Sequence, residues 1–176
     1  MTNENKQKVK SEVVSWIKTF VIAAVIAIAV NAFVIVNAKV PSGSMERTIM
    51  TNDRIIAFRL SYTFSDPQRG DIVVFKYPDD REILYVKRII GLPGETVEMV
   101  DGKVFINGEL LQEDYLKEEP YGSYGPYTVP EDHYFMMGDN RNLSWDSRFW
   151  DNTYVDEKDI LGKGIFRYYP SIKKLS

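Results

Sequence analysis

The chain has 176 residues, of which 44% are hydrophobic, and a net charge of -3; a domain of about 100–150 residues with a sizeable core fits within that length. The weak acidity argues against a nucleic-acid partner, which needs a concentrated excess of Lys and Arg. The absence of cysteine excludes disulfides, thiol nucleophiles and cysteine-ligated zinc. A single histidine, His133, excludes a multi-histidine metal site, so neither a metal nor a cofactor is expected.

In chain order, the first informative stretch is residues 19–38, TFVIAAVIAIAVNAFVIVNA, which carries no charge. At about 1.5 Å per residue it covers roughly 30 Å, the thickness of a hydrocarbon core, and predicts one transmembrane helix. Trp16 then sits at its inner interface, and Asn31 is expected to face protein or the outer interface. Two other origins compete. A buried core helix is seldom apolar on every face. A cleavable secretory signal fits Val36 and Ala38 as small residues before a cut, but its apolar run is usually about 7–15 residues. Lys6, Lys8, Lys10 and Lys18 precede the span, so the positive-inside rule predicts a cytoplasmic segment 1–18 and an extracytoplasmic domain 39–176. Membrane lipid is thus an expected partner.

After residue 40, short β-branched and aromatic runs take over: 54–60, 71–77, 83–91, 96–100, 103–106 and 164–169. Turn signals separate them, which predicts a mainly β domain. Asp101-Gly102 and Asn107-Gly108 suit tight hairpins that need two residues with positive φ. The stretch 112–130, rich in Glu, Tyr, Gly and Pro, reads as an exposed excursion, either a solvated loop or a contact with substrate or membrane. The terminal SIKKLS has no readable role.

For chemistry, a serine hydroxyl needs a base, and the chain offers His133 or a lysine. A lysine serves only where burial lowers its pKa. Lys87, inside ILYVKRII, is either a solvent-facing strand residue or a desolvated one. Ser44, in VPSGSM, is a turn residue and a candidate nucleophile. Pattern alone leaves these alternatives open.

The motifs go further. VPSGSMERTI at 40–49 resembles the nucleophile box of bacterial type I signal peptidases. RGDIVVF at 69–75, YVKRIIGLPGE at 85–95 and MGDNRNLSWDSRFW at 137–150 are similar to that family's other boxes, in the same order. A single amino-terminal span resembles the smaller, Gram-positive-like members.

This resemblance implies an antiparallel, two-sheet β domain behind one transmembrane helix. It implies a serine endopeptidase that cuts signal peptides from exported preproteins after small residues of the Ala-x-Ala type. Ser44 would be the nucleophile and Lys87 the general base. Ser42 and the Ser44 N–H would hold the oxyanion, and Ser144 would hydrogen-bond the Lys87 amine. Asp146 and Arg148 would pair to hold the Ser144 loop, supported by Asp139, Asn140 and Arg141. Val40, Met45, Ile49, Tyr85 and Val86 would shape the substrate groove, and His133 would be structural. Four positions depart from the family pattern: Arg47 for a common proline, Leu143 for a common asparagine, Trp145 for a small residue, and Asp151 for a glycine. Those departures keep open a catalytically silent anchored β domain that binds exported chains or assembly partners. A soluble Ser/Lys self-cleaving repressor-type protease is disfavoured by the span and by the lack of a DNA-binding helical domain.

Overall fold

A computed structural model describes residues 3–175; the first two residues of the expected cytoplasmic segment and Ser176 lie outside them. The chain begins with helix α1 (Asn3–Phe33). Within it, Glu12–Phe33 is a 22-residue stretch of mean hydropathy 2.4, none of it buried, and is long and apolar enough to cross a membrane. That exposure removes the buried-core-helix alternative. Asn31, expected against protein or at the interface, is exposed on this helix.

The strands follow in chain order: β1 (Ile35–Lys39), β2 (Arg54–Phe58), β3 (Ile72–Tyr77), β4 (Asp80–Gly91), β5 (Thr96–Val100), β6 (Lys103–Ile106), β7 (Glu109–Leu110), β8 (Tyr124–Thr128), β9 (His133–Met137), β10 (Val155–Asp156), β11 (Ile160–Tyr169) and β12 (Lys173–Lys174). The larger sheet has the order β1-β2-β11-β3-β4-β9-β10, with β12 paired to β11, and the smaller has the order β7-β6-β5-β8. Every pairing is antiparallel.

The expected helix 19–38 needs correction. Helical structure reaches back to Asn3 and stops at Phe33, and residues 35–39 pair with β2 instead. From Val36 the apolar period changes to two: Val36 and Val40 are buried while Asn37 and Lys39 are exposed, as on a half-buried strand.

The same alternation explains β3, where Ile72 and Val74 enter one core with Val36, Val40 and Ile55. Val73 and Phe75 face the other way, into a core with Ile89, Met136 and Trp150. Asp101-Gly102 and Asn107-Gly108 have φ of 47°, 82°, 51° and 85°, which closes the two hairpins of the small sheet. The stretch 112–130 is more than a solvated loop: it holds β8 on β5, and Tyr124 and Tyr127 pack on the small sheet's core. The terminal segment also has a role, since Leu175 is buried in the first core beside β12.

Candidate active site

Ser44 sits in a tight turn after β1. Backbone bonds Glu46 N–H to Gly43 O at 3.1 Å and Ile49 N–H to Met45 O at 2.8 Å wind it. Met45 and Ile49, expected in the substrate groove, are fully buried in the first core and do not line the groove. The correction has a physical reason: both side chains fall on the inner face of this turn and anchor it, a use of apolar side chains that sequence cannot separate from ligand contact.

Lys87 approaches from β4, opposite Val73 of β3. Its Nζ donates to Ser44 Oγ at 2.6 Å. The lysine is 3% exposed and the serine 6%. Burial is the dominant influence on Lys87 and lowers its pKa from the ordinary 10.5 to about 8; Arg148 lowers it further, while Asp146 and Asp139 oppose the fall. Two residues back on the same face, the Tyr85 ring lies 5.4 Å from Nζ. Ser42 Oγ donates to Ser44 Oγ at 3.4 Å, a long bond.

The third element is the loop after β9. Asp146 and Arg148 form a buried bidentate pair, Nε to Oδ1 at 2.8 Å and Nη2 to Oδ2 at 2.9 Å. Gly138 N–H also donates to Asp146 at 3.1 Å. Ser144 does not make the expected bond to Lys87: its buried hydroxyl has no hydrogen-bond partner among the described residues. It packs instead against Gly138, while Lys87 Nζ is taken by Ser44.

Gly138 and Arg88 escaped the sequence reading, and Asn140, expected only as support for the Ser144 loop, reaches further. A Cβ on Gly138 would lie 2.3 Å from Ser144 Oγ and 2.4 Å from Ser44 O, so only glycine fits between the two serines. Asn140 clamps the Ser44 turn, its Nδ2 donating to Gly43 O at 2.9 Å and its N–H to Ser44 O at 3.0 Å. Arg88 pairs with Asp139 through two 2.8 Å bonds. The adjacent Lys-Arg on an apolar strand was the available signal for that pair.

A groove of about 460 Å³ runs past Ser44 and Lys87, with Val40, Ser42, Tyr85 and Val86 also in its walls. Leu143 and Trp145, two of the departures, line it as well and are 70% and 55% exposed. Arg47 has φ of 84°, and the N–H of Asp151 donates to Asp79 at 3.1 Å. His133 lies at the start of β9 with Nδ1 2.7 Å from Glu131 O, and it does not line the groove.

Comparison with known proteins adds a second line of evidence. The family profile described as signal peptidase, peptidase S26, matches residues 13–169. The protein named probable signal peptidase I-2 of Synechocystis sp. is 42% identical over 158 residues, 87% of this chain and 72% of its own. Signal peptidase I of Leptolyngbya laminosa is 40% identical over 174 residues, 94% of this chain and 84% of its own. That of Bacillus licheniformis is 36% identical over 180 residues, 97% and 96% of the two chains.

Proposed function

This chain belongs to the signal peptidase family, peptidase S26, and from that premise we propose that it is a membrane-anchored serine endopeptidase that cuts signal peptides from exported preproteins with a Ser44–Lys87 dyad. One observation carries the reading: a buried lysine, its pKa lowered to about 8, lies 2.6 Å from a turn serine in an apolar groove.

Neutral Lys87 takes the Ser44 hydroxyl proton as Oγ attacks the scissile carbonyl carbon. The oxyanion is received by the Ser42 hydroxyl and the Ser44 N–H, donors typically worth about 3–4 kcal/mol each. The Lys87 ammonium then protonates the departing amine, releasing the mature protein. Water, deprotonated by Lys87, attacks the acyl-enzyme; Ser44 regains its proton as the ester bond breaks and the signal peptide leaves.

The anchor serves this role. Substrate signal segments occupy the same membrane, which raises their effective concentration. The amino terminus lies in the cytoplasm and the β domain outside. The anchor is retained, because a cut after Ala38 would remove most of β1, whose residues Asn37 and Ala38 line the groove.

Val40, Tyr85 and Val86 favour small side chains at the first and third positions before the cut. A bound strand sends those two side chains to the same face and the middle one away. The test uses a preprotein with Ala-x-Ala before its cut site and variants with a large residue at each position, followed by sequencing of the new amino terminus. Tolerance at the middle position alone is expected. Equal tolerance at all three removes the groove assignment.

A further inference from the structure

The stretch after β7 crosses both loops that hold Ser44. Glu113 is buried against Arg141, with Nη1 donating to Oε2 at 2.8 Å and Nη2 to Oε1. Arg141 in turn donates from Nε to Gly138 O at 3.1 Å, and Arg148 donates to Arg141 O at 2.7 Å. The Tyr115 ring lies 3.9 Å from the Arg88 guanidinium. Leu116 O accepts from Arg47 Nη1 at 2.6 Å. Lys117 Nζ donates to Glu46 Oε2 at 2.6 Å. Four of the five residues from Glu113 to Lys117 thus touch the nucleophile turn, the base strand and the loop carrying Ser144.

The nucleophile turn needs such help. Arg47 has φ of 84°, a left-handed conformation that strains a residue with a Cβ and persists only where surroundings over-determine it. Proline, fixed near a φ of about −65°, cannot occupy that backbone. Stiffness that a ring would build into the chain must here come from outside the turn.

We infer that Glu113–Lys117 is a positioning strap that sets Ser44 against Lys87, with Arg47 as its hook on the nucleophile turn and Glu113 as its buried post on the Arg141 loop. The inference rests on the proposed peptidase activity. The strap touches no substrate; it holds the turn on which near-attack geometry depends. Misplacement of about 1 Å costs on the order of a hundredfold in rate, so partial loosening should cost about tenfold.

The test uses the full chain in detergent with a preprotein substrate. Arg47→Gly is the informative variant, because glycine adopts a φ of 84° freely and only the hook is lost. Its kcat is expected to fall about tenfold with KM and melting temperature nearly unchanged, and Arg47→Lys should restore part of the loss. Glu113→Gln should lower kcat as well, together with stability, since Arg141 stays buried beside a neutral partner. A kcat per folded molecule that is unchanged in both variants overturns the strap, as does a loss confined to KM. Amide exchange over residues 43–50, which depends on no activity, separates the two claims. Faster exchange in Arg47→Gly supports the strap even if the wild-type chain leaves the preprotein uncut. Unchanged exchange beside Ser44-dependent cleavage overturns the strap and leaves the peptidase standing.

Discussion

On one face of β4, Arg88 is 2% exposed and held by the Asp139 carboxylate through two 2.8 Å bonds. On the other, Lys87 is 3% exposed, and its amine meets a serine hydroxyl rather than a carboxylate. The two cations are neighbours in sequence, equally dry, and treated in opposite ways. The Asp139 carboxylate offsets the desolvation of the Arg88 guanidinium. Lys87 is pushed toward the neutral amine by burial, which its hydroxyl partner Ser44 carries no charge to offset. A lysine suits the second place, since an arginine would stay protonated there. The Arg88 side favours stability, and the Lys87 side carries a cost in stability that fits the proton transfer proposed for it.

The hardest blow to this comparison would be a dyad that does not work as one. Ser44→Ala and Lys87→Ala are each expected to cut preprotein cleavage by at least about a thousandfold. The double variant should be about as inactive as either single one, because neither residue acts without the other. In the wild type, the rising limb of activity should follow Lys87 deprotonation near about 8, as burial sets it. Substantial cleavage by Lys87→Ala would reopen His133 as the base.

The opposite face is tested by Arg88→Met. It leaves Asp139 buried without its cation, and breaking a buried pair costs about 3–5 kcal/mol. Urea unfolding of the full chain in detergent should register that loss. A change under about 1 kcal/mol would show that Thr48, which donates to Asp139 at 2.5 Å, and the other neighbours suffice.

How far these two faces could be read beforehand differs, for physical reasons. Ser44 and Lys87 lie in short contiguous runs; pattern marks them only as candidates, and the resemblance of those runs to the family's boxes is what assigns them roles. The strands β2 to β6 were legible because β-branched runs end at Gly, Pro or Asp-Gly. The strand β1 was hidden, since one apolar run feeds both a membrane helix and an edge strand and only the change of period separates them. The strand β8, YGPYT, carries Gly and Pro and looks like loop until it is seen to pair with β5. Met45 and Ile49 were misplaced because burial in a core and lining of a groove call for the same side chains. Glu113 was out of reach: its partner Arg141 lies 28 residues away, and nothing near it marks a buried acid.

The smallest expected effect is the sharpest, because it reverses sign between neighbours. Lys87→Met has the shape of the lysine stem without its charge. In the folded chain the Lys87 pKa falls from 10.5 to about 8, and at about 1.4 kcal/mol per pH unit the buried ammonium costs about 3 kcal/mol. A group whose pKa is lowered by folding favours the fold fully above its unfolded pKa and loses that contribution as pH falls through the folded value. Below about pH 8 the wild type therefore carries the whole penalty, and Lys87→Met carries none. The variant loses the hydrogen bond to Ser44, worth about 1 kcal/mol. A net gain of about 1–3 kcal/mol is therefore expected at pH 6–7, in a protein that no longer cleaves. The gain should shrink between about pH 8 and 10.5, as the wild-type lysine sheds its proton in the fold before it would in the unfolded chain. Unfolding curves of both proteins at pH 6.5 and 10 measure the two gaps. A destabilised Lys87→Met at pH 6.5, or a gap that stays constant to pH 10, would mean that Lys87 is not held against its charge and that the two faces of β4 do not differ in kind.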